Sequence, residues 1–73
     1  MDLEELGNKI KTLRKERGYT QEAFAKLIGI SRATLSKIEN GIFSKVSVVV
    51  LENTLSTLGY TMSIERKNPF VKR

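Results

Sequence analysis

Cysteine, histidine and tryptophan are absent from the 73-residue sequence, proline occurs once, and aromatic residues make up only 7% of it. Without cysteine there are no disulfides and no thiolate metal sites to staple a chain that, at this length, buries only about 60% of the surface its unfolded form exposes. Packing, or a second subunit, has to hold it together. Without histidine or cysteine the usual nucleophile and base pairs of enzymes are missing, and the carboxylates are scattered along segments that read as solvent-facing. No catalytic residue, metal ligand or cofactor is therefore expected. Long apolar runs are missing too: Val48 to Leu51, the longest, falls far short of the roughly 20 residues a membrane-spanning helix needs, and the amino terminus is acidic where a secretory leader is basic. These absences point to one small soluble domain of the cytoplasm that binds a partner rather than transforming a substrate.

What is present is basic charge, and it is segregated. The chain carries 13 Lys and Arg against 8 Asp and Glu, a net charge of +5. Residues 1–8 hold three acids and no base, whereas residues 9–45 hold nine bases against Glu16, Glu22 and Glu39, a local charge of +6. The last eight residues add Arg66, Lys67, Lys72 and Arg73 without an acid. A basic block in an otherwise balanced chain is the footprint of a polyanion, usually nucleic acid and sometimes an anionic membrane surface. A solvated lysine-rich face gives the same composition.

Helical signals follow one another along most of the chain. Asp2 and Glu5 form a capping box, and Leu3, Leu6, Ile10 and Leu13 recur at helical spacing, which predicts a helix from Leu3 to Arg17 closed by Gly18. Its acids lie at the start and Lys11, Arg14, Lys15 and Arg17 at the end, in keeping with the helix dipole. Gly7 is out of place there, because an internal glycine costs about 1 kcal/mol relative to alanine, and it marks a close backbone approach to an unidentified neighbour. Thr20 caps a second helix, Gln21 to Ile28, ended by Gly29. Ser31 caps a third, Arg32 to Glu39, ended by Asn40 and Gly41. Tyr19 with Phe24, and Ile30 with Leu35, form hydrophobic staples at these two entries. Such short helices are unstable alone and must pack on each other and on the first.

The stretch from Ser47 to Leu58 is rich in valine, yet the spacing of Val48, Leu51, Leu55 and Leu58 predicts an amphipathic helix capped by Ser47 and stopped by Gly59. Beyond it, Tyr60, Met62 and Ile64 alternate with polar residues and read as a short half-buried strand. A lone strand needs a mate, and the same segment of a second copy across a two-fold axis supplies one, so Tyr60, Met62 and Ile64 are the expected dimerisation residues. The chain thus divides into a helical domain over 1–59, a dimerising strand over 60–66 and a basic, flexible tail over 67–73.

The segment QEAFAKLIGISRATLSKIEN, Gln21 to Asn40, resembles the helix-turn-helix of the phage-repressor and Cro-like family, also called the Xre family. Apolar residues stand at Phe24, Ile28, Ile30, Leu35 and Ile38, a small one at Ala25 where two helices cross, and glycine at Gly29 in the tight turn, as this motif requires. The likeness extends over residues 6–59. It implies an all-α, four-to-five-helix lambda-repressor-like fold, here with a C-terminal β-strand pairing across a homodimer, whose third helix enters the DNA major groove. The side chains on that helix suit base reading. Arg32, Ala33, Ser36 and Lys37 lie opposite Leu35 and Ile38, and arginine pairs with guanine, alanine touches a thymine methyl, and serine or lysine reaches base edges or phosphate. By resemblance, Gln21 and Asn40 contact phosphate at the two ends of the motif, and Thr20, Ser31 and Lys45 complete the phosphate set. Arg14 and Glu39 match a structural ion pair linking the first helix to the end of the third. Ile42 and Phe43 depart from the family, where basic or polar residues are common.

The ending LGYTMSIERK is similar to the HipB group of antitoxins, in which one strand follows the fourth helix. That likeness implies an autorepressing antitoxin that binds double-stranded operator DNA as a homodimer, associates with the nucleoid when bound, and pairs with a HipA-type serine/threonine kinase toxin. Phe70 in the basic tail is the candidate anchor for that partner. A stand-alone phage-type repressor or restriction-modification controller shares every other feature.

Overall fold

A computed structural model describes residues 1–63. Four helices follow in order: α1 Leu3–Glu16, α2 Gln21–Ile28, α3 Arg32–Glu39 and α4 Val48–Thr57. Each starts where a side chain can replace the missing backbone partner. Asp2 accepts from the Glu5 N–H at 2.8 Å while Glu5 Oε1 accepts from the Asp2 N–H at 2.9 Å, a closed capping box. Thr20, Ser31 and Ser47 accept from the N–H three residues on at 3.0–3.1 Å. Helix α1 stops at Glu16, with Arg17 as its cap, and α4 at Thr57, one residue inside the expected ends.

Ile10, Leu13, Phe24, Ala25, Ile28, Leu35, Ile38 and Leu58 form one core to which all four helices or their ends contribute. The Tyr19 and Phe24 rings tilt together at a centroid separation of 5.5 Å, the staple that fixes the entry into α2. Gly29, at φ +81°, makes the reversal between α2 and α3, where a side chain would strain the backbone. Gly7 is buried for a different reason. A Cβ there would strike the Ile38 carbonyl oxygen and come within 2.8 Å of the Gly41 nitrogen and 2.9 Å of the Glu39 carbonyl oxygen. The neighbour implied by this glycine is therefore the backbone at the end of α3, pressed against the first turns of α1.

Two expectations are not met by the described residues. Val48 is 70% exposed, and the inward side of α4 is carried by Val50, Leu51, Leu55, Leu58 and the fully buried Thr54. A threonine is tolerated there because its hydroxyl donates to the Val50 carbonyl at 2.8 Å and so enters the core already satisfied. The helix is thus rotated from the leucine stripe toward its valine-threonine side. Second, residues 60–63 form no strand, and the remainder of that expectation, Ile64 with residues 65 and 66, lies outside the described residues, as do the tail and Phe70. The Tyr60 N–H is spent on the Leu55 carbonyl at 2.8 Å, and a strand exists only as one side of a hydrogen-bonded ladder, whose other side the described residues do not supply. A fifth helix is likewise absent among the described residues.

Candidate nucleic-acid interface

Helix α3 is two-sided. Leu35 and Ile38 are fully buried, whereas Arg32, Ala33 and Lys37 are exposed and Ser36 half-buried, so the candidate readout residues stand together on the outer face. Its seating is fixed by a buried polar cluster. Arg14 Nε donates to Glu39 Oε2 at 2.6 Å and Nη2 to Glu39 Oε1 at 3.2 Å, with the two side chains only 6% and 2% exposed. Arg14 Nη1 reaches on to the Tyr19 carbonyl at 2.7 Å, just ahead of α2. One guanidinium thus ties α1 to the entry of α2 and the end of α3, a use that suits a planar fork of fixed donors. Breaking such a pair leaves an uncompensated buried charge, which makes the geometry of α3 hard to relax.

The phosphate set is placed less simply. Gln21 Nε2 donates to Glu39 Oε1 at 3.0 Å, so this side chain is drawn into the ion pair. Asn40 Nδ2 donates to the Ser36 carbonyl at 2.9 Å. Each amide has a second N–H available to a phosphate oxygen, and each is oriented by the bond it already makes. Thr20 and Ser31 are the exposed caps of α2 and α3, where the positive ends of two helix dipoles and their first N–H groups meet the surface. Lys45 is exposed in the loop after α3. Tyr60 and Met62, expected at a dimer contact, are 46% and 42% exposed.

The fold also assembles residues that the sequence does not single out. Lys11 and Lys15 of α1 line the same open depression as Thr20, Gln21 and Arg32, in which Glu22 is the acid. Their spacing of four, which puts both on one helical face, is the available signal. Thr34, half-buried on α3, lines a second depression with Lys37 and Lys45, and nothing in its sequence context distinguishes it. Among the described residues there is no cluster of potential metal ligands and no helix long and apolar enough to cross a membrane.

A two-turn helix held by its neighbours, with bases and cap N–H groups around an exposed face, is the surface a helix-turn-helix presents to a duplex. A family model described as helix-turn-helix, HTH_3, matches residues 10–64. The chain belongs to the HTH_3 family. It is 51% identical over 41 residues to YazB of Bacillus subtilis, an uncharacterized HTH-type transcriptional regulator, across 56% of this chain and 59% of YazB. It is 35% identical over 60 residues to the antitoxin HipB of Escherichia coli O6:H1, across 82% of this chain and 63% of HipB. The chain therefore spans about three fifths of the length of these relatives. Among solved structures, a chain of the HipA-HipB-O2-O3 complex superposes with a TM-score of 0.73 at 29% identity, covering 93% of this chain and 94% of that one. Relatives of this HTH_3 domain are transcriptional regulators and antitoxins rather than enzymes. Its four helices are those of the lambda-repressor-like fold.

Proposed function

We propose that this HTH_3 protein is a sequence-specific transcriptional regulator that binds palindromic operator DNA as a homodimer and serves as the autorepressing antitoxin of a HipA-type kinase toxin. The observation that carries the DNA-binding reading is the outer face of α3, where Arg32, Ala33, Ser36 and Lys37 project from a helix immobilised by the Arg14–Glu39 pair. Arg32 supplies a bidentate guanine contact, Ala33 an apolar contact to a thymine methyl, and Ser36 and Lys37 reach base edges or phosphate. Thr20, Gln21, Ser31, Asn40 and Lys45 hold the phosphates that set the register. Two copies related by a two-fold axis present their α3 helices to half-sites one helical turn apart, roughly 34–36 Å.

Dimerisation through Tyr60, Met62 and Ile64 accounts for the exposure of the first two and gives the segment its missing ladder partner. The antitoxin reading is supported by the reciprocal coverage with a chain of the HipA-HipB-O2-O3 complex, and by the likeness to HipB over most of this chain. Phe70 is the proposed toxin anchor. The rival reading, a stand-alone regulator, is favoured by the match to YazB. Co-expression of the full chain with the adjacent reading frame separates the two: a kinase-like protein co-purifies with the wild type and is weakened by Phe70→Ala, while operator affinity of the free dimer is unchanged. Absence of any co-purifying kinase leaves the stand-alone regulator.

A further inference from the structure

All four helices end in one hydrogen-bonded pattern. A glycine (Gly18, Gly29, Gly41, Gly59) donates to the carbonyl three residues back, and the next residue (Tyr19, Ile30, Ile42, Tyr60) donates to the carbonyl five residues back. In this closure the second residue is apolar because it normally folds onto the helix it has just left. Tyr19 and Ile30 obey, packing partly buried against the core. Ile42 and Tyr60 do not; they are 50% and 46% exposed. Tyr60 lies in the segment assigned to the dimer. Ile42 has no such explanation, and it stands at the end of the helix proposed to read DNA.

Its position is not that of a loose loop. The Ile42 N–H is held by the Lys37 carbonyl at 2.8 Å, so the side chain leaves a fixed point of the backbone beside the last turn of α3. It lines a depression of about 240 Å³ together with Thr34, Lys37, Ser44, Lys45 and Val46. The charged members of that lining are both lysines, and no acid takes part. A surface of this sign is complementary to a nucleic-acid backbone, and an isoleucine between the lysines calls for an apolar group on the same ligand. In the major groove the one such group on a base edge is the C5-methyl of thymine.

We infer that Ile42 is a specificity residue of the operator contact, seating a thymine methyl in the depression between Thr34, Lys37 and Lys45. This rests on the DNA-binding reading above and adds to it a readout from outside the recognition helix, by an apolar side chain where Ser44 and Lys45 contribute only polar contacts.

The test uses the full chain. Duplexes are selected from a random pool, and affinity is then measured by fluorescence anisotropy on the selected operator with each thymine exchanged for uracil, symmetrically in both half-sites. Uracil differs from thymine by the methyl alone. For the wild type, one symmetric exchange weakens binding by about fourfold per half-site, the worth of one buried methyl-sized group, and so by roughly 15-fold overall. For Ile42→Ala the same exchange costs less than about twofold, the other exchanges cost both proteins equally, and the thermal midpoint is unchanged because the side chain is already half in water. The inference is overturned if no exchange is selectively insensitive in Ile42→Ala. It is also overturned if the variant loses the same factor on every duplex, which marks a sugar-phosphate contact, or if it keeps operator affinity and loses a co-purifying protein. Those results leave sequence-specific binding standing. A selection that enriches no sequence overturns both the inference and the reading beneath it.

Discussion

Replacing Gly7 with alanine separates two physical arguments of opposite sign. Alanine is the better helix former by about 1 kcal/mol, so on propensity alone the change stabilises α1. The structure places three backbone atoms in the way of the added methyl: the Ile38 carbonyl oxygen, the Gly41 nitrogen at 2.8 Å and the Glu39 carbonyl oxygen at 2.9 Å. None is the flexible end of a side chain, and Gly41 is itself pressed against Glu4, whose Cα would lie 2.9 Å from a Cβ at that position. Relief requires α1 to lift from the end of α3, which also loosens the Arg14–Glu39 pair. Overpacking of this kind costs about 1–3 kcal/mol, and contact with rigid backbone puts it at the upper end. The net effect is a loss of about 2 kcal/mol. A domain of this size loses about 4–8 °C of thermal midpoint per kcal/mol, so a fall of roughly 8–16 °C is expected. Circular dichroism melts at one fixed protein concentration measure it, with exposed Asn8→Ala in the same helix as the control. A Gly7→Ala protein melting at or above the wild-type temperature refutes the close-approach account.

Four further changes probe the site and the assembly. Glu39→Ala strands the buried Arg14 guanidinium and the Gln21 amide and should cost about 3–5 kcal/mol, a large share of the total stability of such a domain, whereas a loss below about 1 kcal/mol in urea titrations would show that the pair is dispensable. Arg32→Ala should weaken operator binding by about 1–3 kcal/mol and random duplex much less, while Gln21→Ala weakens both; equal losses for Arg32→Ala on the two duplexes, read by anisotropy, would remove it from base readout. Truncation after Gly59 should convert the proposed dimer to a monomer in sedimentation, and an unchanged dimer would move the interface to the exposed valines of α4.

Helix boundaries were legible to within a residue, as was the direction of charge, because the signals that set them act over three or four positions. Asp2 with Glu5, Thr20, Ser31 and Ser47 find their hydrogen-bond partners within the next turn whatever the rest of the chain does. The outer face of α3 was legible for the same reason, since a helical period with Leu35 and Ile38 inward puts Arg32, Ala33 and Lys37 outward. Gly7 announced a close contact but not its identity, because the atoms it meets are more than thirty residues away in the chain. Gln21 reads simply as a phosphate ligand, and only the fold shows that its amide also donates to Glu39, at 3.0 Å. Thr54 became core and Val48 surface because the axial rotation of α4 is settled by what it packs against, and a threonine whose hydroxyl is satisfied inside its own helix can be turned inward at little cost. The exposure of Ile42 belongs to the same class. Local rules demand an apolar residue after Gly41, but only the packing of the loop decides whether that side chain is buried by its own helix or left for a ligand.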